Sequence, residues 1–505
     1  MKRNMKLMFA LVMVFSFVLS ACAPAVAPTT TSGPAPTPVV VVVTKEVIKQ
    51  VEVTAVPTAA PTGVPTPTIQ PEIKTGGEGC DPASTQVTWF IGLGAGSNAD
   101  VVPLEKAWVD KYNKSQKEAC VLMDVVYNTG QNSYDALRAL IAGGNAPEIV
   151  GPTGKAGRAS FQGAWADVAQ LAKDAGFDLS KYDPKLLDFT KDEGKLVGLP
   201  FALFPSFIFY NKKLFDEAKL PYPPHKVGEL YNGKPWDLAA FQDLAMKLTV
   251  DKAGNDATNA AFDPANVTQF GFFAQWTDAR GLGAFFDGGI PYDAKTNSAV
   301  IPSAWEAAWK WYYDGIWKYH FMPTADYQNS DQFNKGNLFA SGNVAMSWVH
   351  TWYMCCFDNS KTSWDMAVVP TINGKITAKL HGDTFAILKE SKQQAVAFKV
   401  LTAMVTDPDL PVIYGGMPAV EADRPAFFAA KDKAAAPNKI DWTVAQAMLA
   451  YPDLPNHEAW LPNLAQANTL LGAFRTLMDQ TPLLDLDAAI AKLKSDLDAA
   501  YKAAK

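Results

Sequence analysis

Apolar and polar positions fall into two alternating periods along most of this chain. Gln86–Leu93 (QVTWFIGL) and Cys120–Tyr127 (CVLMDVVY) are short apolar runs, and Glu148–Val150 opens a third. Runs of this length bounded by turn residues predict strands buried in a sheet. Between the first two, Leu104, Ala107, Trp108 and Tyr112 recur at helical spacing, and Tyr134–Ala142 spells a second helix. The loop Gly94–Asp100 (GAGSNAD) supplies capping residues in Ser97, Asn98 and Asp100. Strands alternating with helices predict a parallel sheet with crossovers, an α/β architecture. Four more amphipathic helices are marked by Phe241/Leu244/Ala245/Leu248, Trp305/Ala308/Trp309/Tyr312/Ile316, Ala397/Val400/Leu401/Met404 and Leu486/Ile490/Leu493/Leu497. In Asn334–Cys356 (NKGNLFASGNVAMSWVHTWYMCC) the run Val344–Met346 reads as a strand, with Trp352 and Tyr353 just past its end. Ligands of open α/β sheets sit outside the carboxyl ends of strands. These rings are therefore either a cover for a ligand or ordinary core.

The amino-terminal pattern is of another kind. Lys2, Arg3 and Lys6 precede an apolar run, Leu7–Val18, followed by Leu19-Ser20-Ala21-Cys22. A basic start, a short apolar region and small residues make an export signal over residues 1–21, too short to span a bilayer as a mature helix. Cys22 directly after Leu-Ser-Ala resembles the bacterial lipoprotein signal, which implies cleavage before Cys22 and lipid on its sulfur. Several acyl chains anchor stably, each buried CH₂ contributing roughly 0.8 kcal/mol. Residues 22–79 are rich in Pro, Thr, Val and Ala (PAPTPVVVVV, PTAAPTGVPTPTIQPE). Too little can be buried there to offset ordering. At about 3.1 Å per residue such a tether reaches on the order of 150 Å, and the folded body is expected to begin near Cys80.

Composition narrows the function. A chain of 505 residues with 48% hydrophobic content has room for two or more domains. The net charge of −6 leaves no electrostatic footprint for nucleic acid. The five histidines (225, 320, 350, 381, 457) show no metal-ligand spacing, so no zinc site and no cofactor is expected. Gly92-Leu-Gly94-Ala-Gly96-Ser97 resembles a dinucleotide fingerprint, but Ser97 replaces its third glycine and Asp124 lies mid-strand rather than at a strand end. Gly151–Ala156 lacks the first glycine and the hydroxyl of a phosphate loop. Asp251–Asn259 (DKAGNDATN) carries oxygen ligands but not at calcium-loop spacing. Cys80 lies just before the first strand and Cys120 begins the second, so parallel neighbours would bring both to one sheet edge and predict a Cys80–Cys120 bond. For the adjacent Cys355 and Cys356 a vicinal disulfide, free thiols and metal capture all stay open.

Four stretches taken together resemble the extracellular solute-binding proteins of ABC importers, the group that includes maltose-binding proteins. They are Ala142–Val150 (AGGNAPEIV), Gly194–Pro224 (GKLVGLPFALFPSFIFYNKKLFDEAKLPYPP), Gly342–Trp352, and His381–Val405 (HGDTFAILKESKQQAVAFKVLTAMV). Val197 and Lys219 depart from the family pattern in the second stretch, and Asp383 stands where many members carry Gly. The resemblance implies a two-lobed periplasmic-binding-protein-like fold with hinge-crossing strands and a ligand in the cleft. Lobe 1 would be 80–203 plus 383–452, and lobe 2 would be 206–381 plus 456–505. Crossings fall near Leu203–Pro205, His381–Asp383 and Pro455.

By position in the family, Trp352 is the aromatic that stacks on a pyranose ring. Trp276 is divided between ligand and core. Asp383 would accept sugar hydroxyls or pair with a basic group. Ser97 and Asn98 either donate to the ligand or cap a helix, and Thr153 is of the same kind. Phe204, Tyr353 and Met417 are cleft walls or core. The implied function is a monomeric, lipid-anchored receptor that binds a sugar or oligosaccharide without catalysis and delivers it to membrane permease subunits. An exported carbohydrate hydrolase and a ligand-presenting sensor are the alternatives.

Overall fold

The computed structural model describes residues 73–127 and 132–504, all within the unit Pro67–Lys505. The export signal, Cys22 and most of the tether lie outside the described residues. Ten strands of the main sheet position the site: β1 (Ile73–Gly76), β2 (Thr85–Ile91), β3 (Ala119–Val125), β4 (Ile149–Thr153), β5 (Leu199–Asn211), β6 (Val267–Phe273), β7 (Val344–His350), β8 (Trp364–Ala367), β9 (Leu380–Ile387) and β10 (Met417–Pro418). β2 pairs in parallel with both β3 and β4, as the strand–helix alternation predicts. The helices Val102–Ser115 and Asn132–Ala142 make the two crossovers.

β5 organises the rest. All 13 of its positions are buried, and a continuous apolar run is what a strand covered on both faces requires. Its first half pairs with β9 (Pro205↔Leu380 to Leu199↔Phe385), and its second half with β7 (Ser206↔His350 to Tyr210↔Met346) and with β8. The partners change at Pro205, whose missing N–H is least costly where one ladder hands over to the next. Two separate apolar cores result. Trp89, Phe201, Phe385, Phe398 and Met404 belong to the first; Phe207, Trp305, Trp309, Trp348 and Phe474 belong to the second. One strand thus serves two lobes.

The structure corrects the expected boundaries in three places. β1 pairs antiparallel with β3, Gly76 opposite Leu122, so folded chain begins before Cys80. Its sequence, Ile-Lys-Thr-Gly, is too short and too polar to show strand periodicity; the free edge of β3 provides the pairing. Residues 435–448, expected in lobe 1, place Ala435, Trp442, Val444 and Met448 in the second core. The third passage between lobes is therefore the helix Arg424–Ala435, which carries Phe427 in the buried cluster of Phe189 and Leu203 and ends with Ala435 in the second core. Pro455 instead lies in a turn held to the second lobe by the Gly289 amide, which donates to its carbonyl at 2.8 Å.

Cys80 and Cys120 are joined (S–S 2.01 Å), and so are Cys355 and Cys356. The Asp251 carboxylate accepts from the amides of Ala253, Asn255 and Asp263 at 2.8, 2.9 and 3.0 Å, so that loop spends its oxygens on its own closure. Among the described residues no helix is long and apolar enough to cross a membrane.

Candidate functional site

A cavity of about 720 Å³ lies where the two cores meet, within the usual range for small-molecule sites. The loops after β2, β6 and β7 build much of its wall. These are carboxyl ends of strands, where backbone groups leave the ladder and side chains point into a crevice.

The second-lobe wall carries a row of four rings. Trp276 stacks on Trp352 (centroids 6.0 Å, interplanar angle 6°), Trp352 on His350 (5.8 Å, 23°), and His350 on His457 (6.0 Å, 19°). Trp276 is 50% exposed and adopts a left-handed backbone, φ 47°. That conformation is costly for a bulky residue and persists only where the surroundings impose it. Here the indole N–H donates to the Gly336 carbonyl at 3.0 Å, and Tyr353 packs at right angles to the ring with centroids 5.3 Å apart. The half-exposed ring is thereby held on the cavity wall.

The polar groups cluster around β9. His381 Nδ1 lies 3.0 and 3.2 Å from the two oxygens of Glu458, and its Nε2 lies 3.3 Å from Asp383. Burial opposes a charge on His381, but Glu458 and Asp383 outweigh it and hold the imidazole pKa well above 6.5. Burial likewise pushes Glu458 up, yet His381 brings it down to about 2. His350 goes the other way: burial, then Lys379 and the other two histidines, keep it neutral, well below 6.5.

His381, raised when folded, contributes stability present below pH 6.5 and lost as pH climbs through its folded value. Glu458, depressed when folded, contributes stability present above pH 4.5 and lost as pH falls toward about 2. Melting curves of native protein and His381→Gln should therefore differ most between about pH 4.5 and 6.5 and converge at alkaline pH. A gap independent of pH would mean that His381 is neutral in the fold.

Of the residues expected at the site, Trp352, Trp276, Asp383, Asn98 and Phe204 line the cavity. Four others do not. Tyr353 follows Trp352 in a single helical turn, so its side chain diverges into the second core, where its hydroxyl donates to Asn337 Oδ1. Met417 pairs opposite Leu203 and is buried among Tyr182 and Phe189; Tyr414 and Gly415 reach the cavity instead. Thr153 is fully buried, its hydroxyl donating to the Gly154 carbonyl at 3.4 Å. Ser97 is buried beside Gly96 rather than facing the cleft.

Sequence reasoning missed His350, His381, His457, Glu458, Lys379 and Arg280 as wall residues. They are separated by up to 178 positions of chain, and no local spacing links the histidines; β9 and its neighbours assemble them. Among the described residues no group of three His, Cys, Asp or Glu is arranged to hold a metal ion.

Two cores sharing a strand, with a ring-lined crevice at the junction, define a two-lobed binding fold. The chain matches the family "Bacterial extracellular solute-binding protein" over residues 107–410 and belongs to it. Solved structures share the fold. The chain is similar to UspC of Mycobacterium tuberculosis (20% identity, 82% of this chain and 100% of that one, TM-score 0.62). It is similar to the sugar-binding protein MalE of Xanthomonas citri (16%, 83% and 98%, 0.61). It also resembles an ABC substrate-binding protein of Listeria monocytogenes solved with cycloalternan (18%, 82% and 98%, 0.59).

Proposed function

We propose that this protein is the lipid-anchored receptor of an ABC importer, closing its two lobes on a sugar or oligosaccharide and passing it unaltered to a membrane permease. The observation that carries this reading is the half-exposed ring of Trp276, backed by Trp352. The C–H face of a pyranose is apolar and lies flat on an indole, while its hydroxyls bond to polar groups such as Asp383 and Asn98 on the first-lobe wall. Contacts made to both walls exist only when the lobes are closed, which is the differential interaction a hinge motion needs. Relatives in the fold are described as sugar-binding or were solved with cycloalternan, which supports the substrate class. Cys22 and the tether would hold the lobes at the outer membrane face, within reach of a permease.

A thermal-shift screen against a panel of neutral and acidic sugars tests the reading. A true ligand at 100 times its dissociation constant adds about 2.7 kcal/mol to stability and raises the melting temperature. No shift from any sugar overturns the substrate class, and turnover of a labelled oligosaccharide by the purified protein would assign it to the exported hydrolases instead.

A further inference from the structure

We propose that the sugar taken by this cavity carries an oxyanion, a carboxylate or a phosphate, received by Lys379 and Arg280. The proposal rests on the sugar-binding reading above and narrows it. Both side chains line the cavity, and both residues are buried, at 2% and 4% exposure. A buried cation is costly unless paired. Lys155 and Arg158 share Asp192 as their partner, and Arg475 has Asp479. Lys379 and Arg280 form no ion pair with a carboxylate among the described residues.

The nearby carboxylates Asp278, Asp453 and Glu458 favour both charges through space, but each makes its short contacts elsewhere. Asp278 accepts from the Gly281 amide at 2.7 Å. Asp383 and Glu458 hold His381. Asp453 accepts from the Leu380 amide at 2.9 Å and faces His457 Nδ1 at 2.6 Å.

The cations keep donors in reserve. Lys379 Nζ donates to Thr277 Oγ1 at 3.2 Å and lies 4.7 Å from the centre of the Phe285 ring, leaving the rest of its three N–H groups for a guest. Arg280 donates from Nη2 to the Ala459 carbonyl and, at 3.5 Å, from Nη1 to Asn468; its buried Nε has no partner. Gly281, next to Arg280 in the chain, also lines the cavity. A Cβ there would fall 2.9 Å from Thr277 Cγ2, 3.2 Å from Asp278 Oδ1 and 3.4 Å from Lys379 Nζ, so glycine leaves room beside the ammonium and the Asp278 carboxylate. A guanidinium fork and an ammonium on one wall suit an oxyanion, which the planar fork can grip with two bonds. Neutral hydroxyls would leave much of that donor capacity unmet.

The test is calorimetric titration of native protein with matched pairs: uronate-containing oligosaccharides, sugar phosphates and their neutral counterparts. The acidic member of at least one pair should bind about ten-fold or more tightly, equivalent to about 1.4 kcal/mol; which pair does so separates carboxylate from phosphate. Lys379→Met and Arg280→Gln should each shrink that acid-to-neutral ratio, and raised salt should shrink it least in the variants. Because the ratio is first read on native protein, a variant that fails to fold leaves the test intact. Equal affinities within every pair, or preference for the neutral member, overturn the anion assignment and leave the sugar reading standing; no binding by either member overturns both.

Discussion

Trp276→Ala will weaken sugar binding by about ten- to a hundred-fold, as measured by calorimetry, with little change in the melting temperature of the unliganded protein. The magnitude is that of a buried aromatic anchor, about 1.4–2.8 kcal/mol. The ring is half exposed, so its removal costs the free protein little more than its packing on Trp352, an edge contact with Tyr353 and the bond to Gly336. Once a sugar covers the exposed part, the same ring is buried. The loss therefore falls on the complex rather than the fold. Trp352→Ala separates the two effects. That indole is wedged between Trp276 and His350 and packs against both cores. Its loss should cost affinity and also lower the melting temperature, because both lobes lose a packing partner at their junction. If Trp276→Ala binds as tightly as native protein, the indole is not the sugar platform.

The contrast between these two residues shows how far the sequence could be read. Gly342–Trp352 put an aromatic at the end of a buried strand, and β7 with its following turn delivers Trp352 there. The period-2 and period-3.6 patterns likewise located β2, β3 and the long helices, because burial of one face writes itself into local spacing. The left-handed turn that opens Trp276 left no such trace: nothing in Phe-Ala-Gln-Trp-Thr demands φ 47°. The imposing contact comes from Gly336, sixty residues away. The same holds for Lys379, Arg280 and Glu458, whose meaning lies in which carboxylates are already taken. Helix ends behave similarly. Lys219, which departs from the family's glycine, closes the helix Lys212–Ala218 in a left-handed conformation, φ 55°, where glycine fits without strain. A local rule is thus broken and the cap still forms, with the Lys219 amide donating to the Asp216 carbonyl at 3.1 Å.

Glu105→Gln should turn a pH-dependent protein into one that withstands alkaline conditions. Glu105 is fully buried in the helix Val102–Ser115, beneath the loop that carries Asn98. Its Oε1 accepts from the Tyr414 hydroxyl at 2.8 Å, and its Oε2 has no partner. Burial pushes its pKa from 4.5 up to about 8, with the Tyr414 bond pulling slightly the other way. Between those values the folded protein holds a proton that the unfolded chain has released. Stability is therefore greatest on the acid side and falls as pH rises through that window, at about 1.4 kcal/mol per unit, a few kcal/mol in all. Glutamine keeps the shape and an acceptor for Tyr414 but cannot ionise. Melting temperatures of the two proteins should be close near pH 5 and should separate by pH 9, with the variant the higher; parallel profiles would show that Glu105 is not the titrating group. The cavity should report the same event. Gly96 is left-handed at φ 99°, and a Cβ there would collide with Glu105 Oε1, so the loop rests directly on this carboxyl. Tyr414 itself lines the cavity. Ionising Glu105 then disturbs two elements of the first-lobe wall at once, and ligand affinity should decline above about pH 8 in the native protein by more than it does in Glu105→Gln.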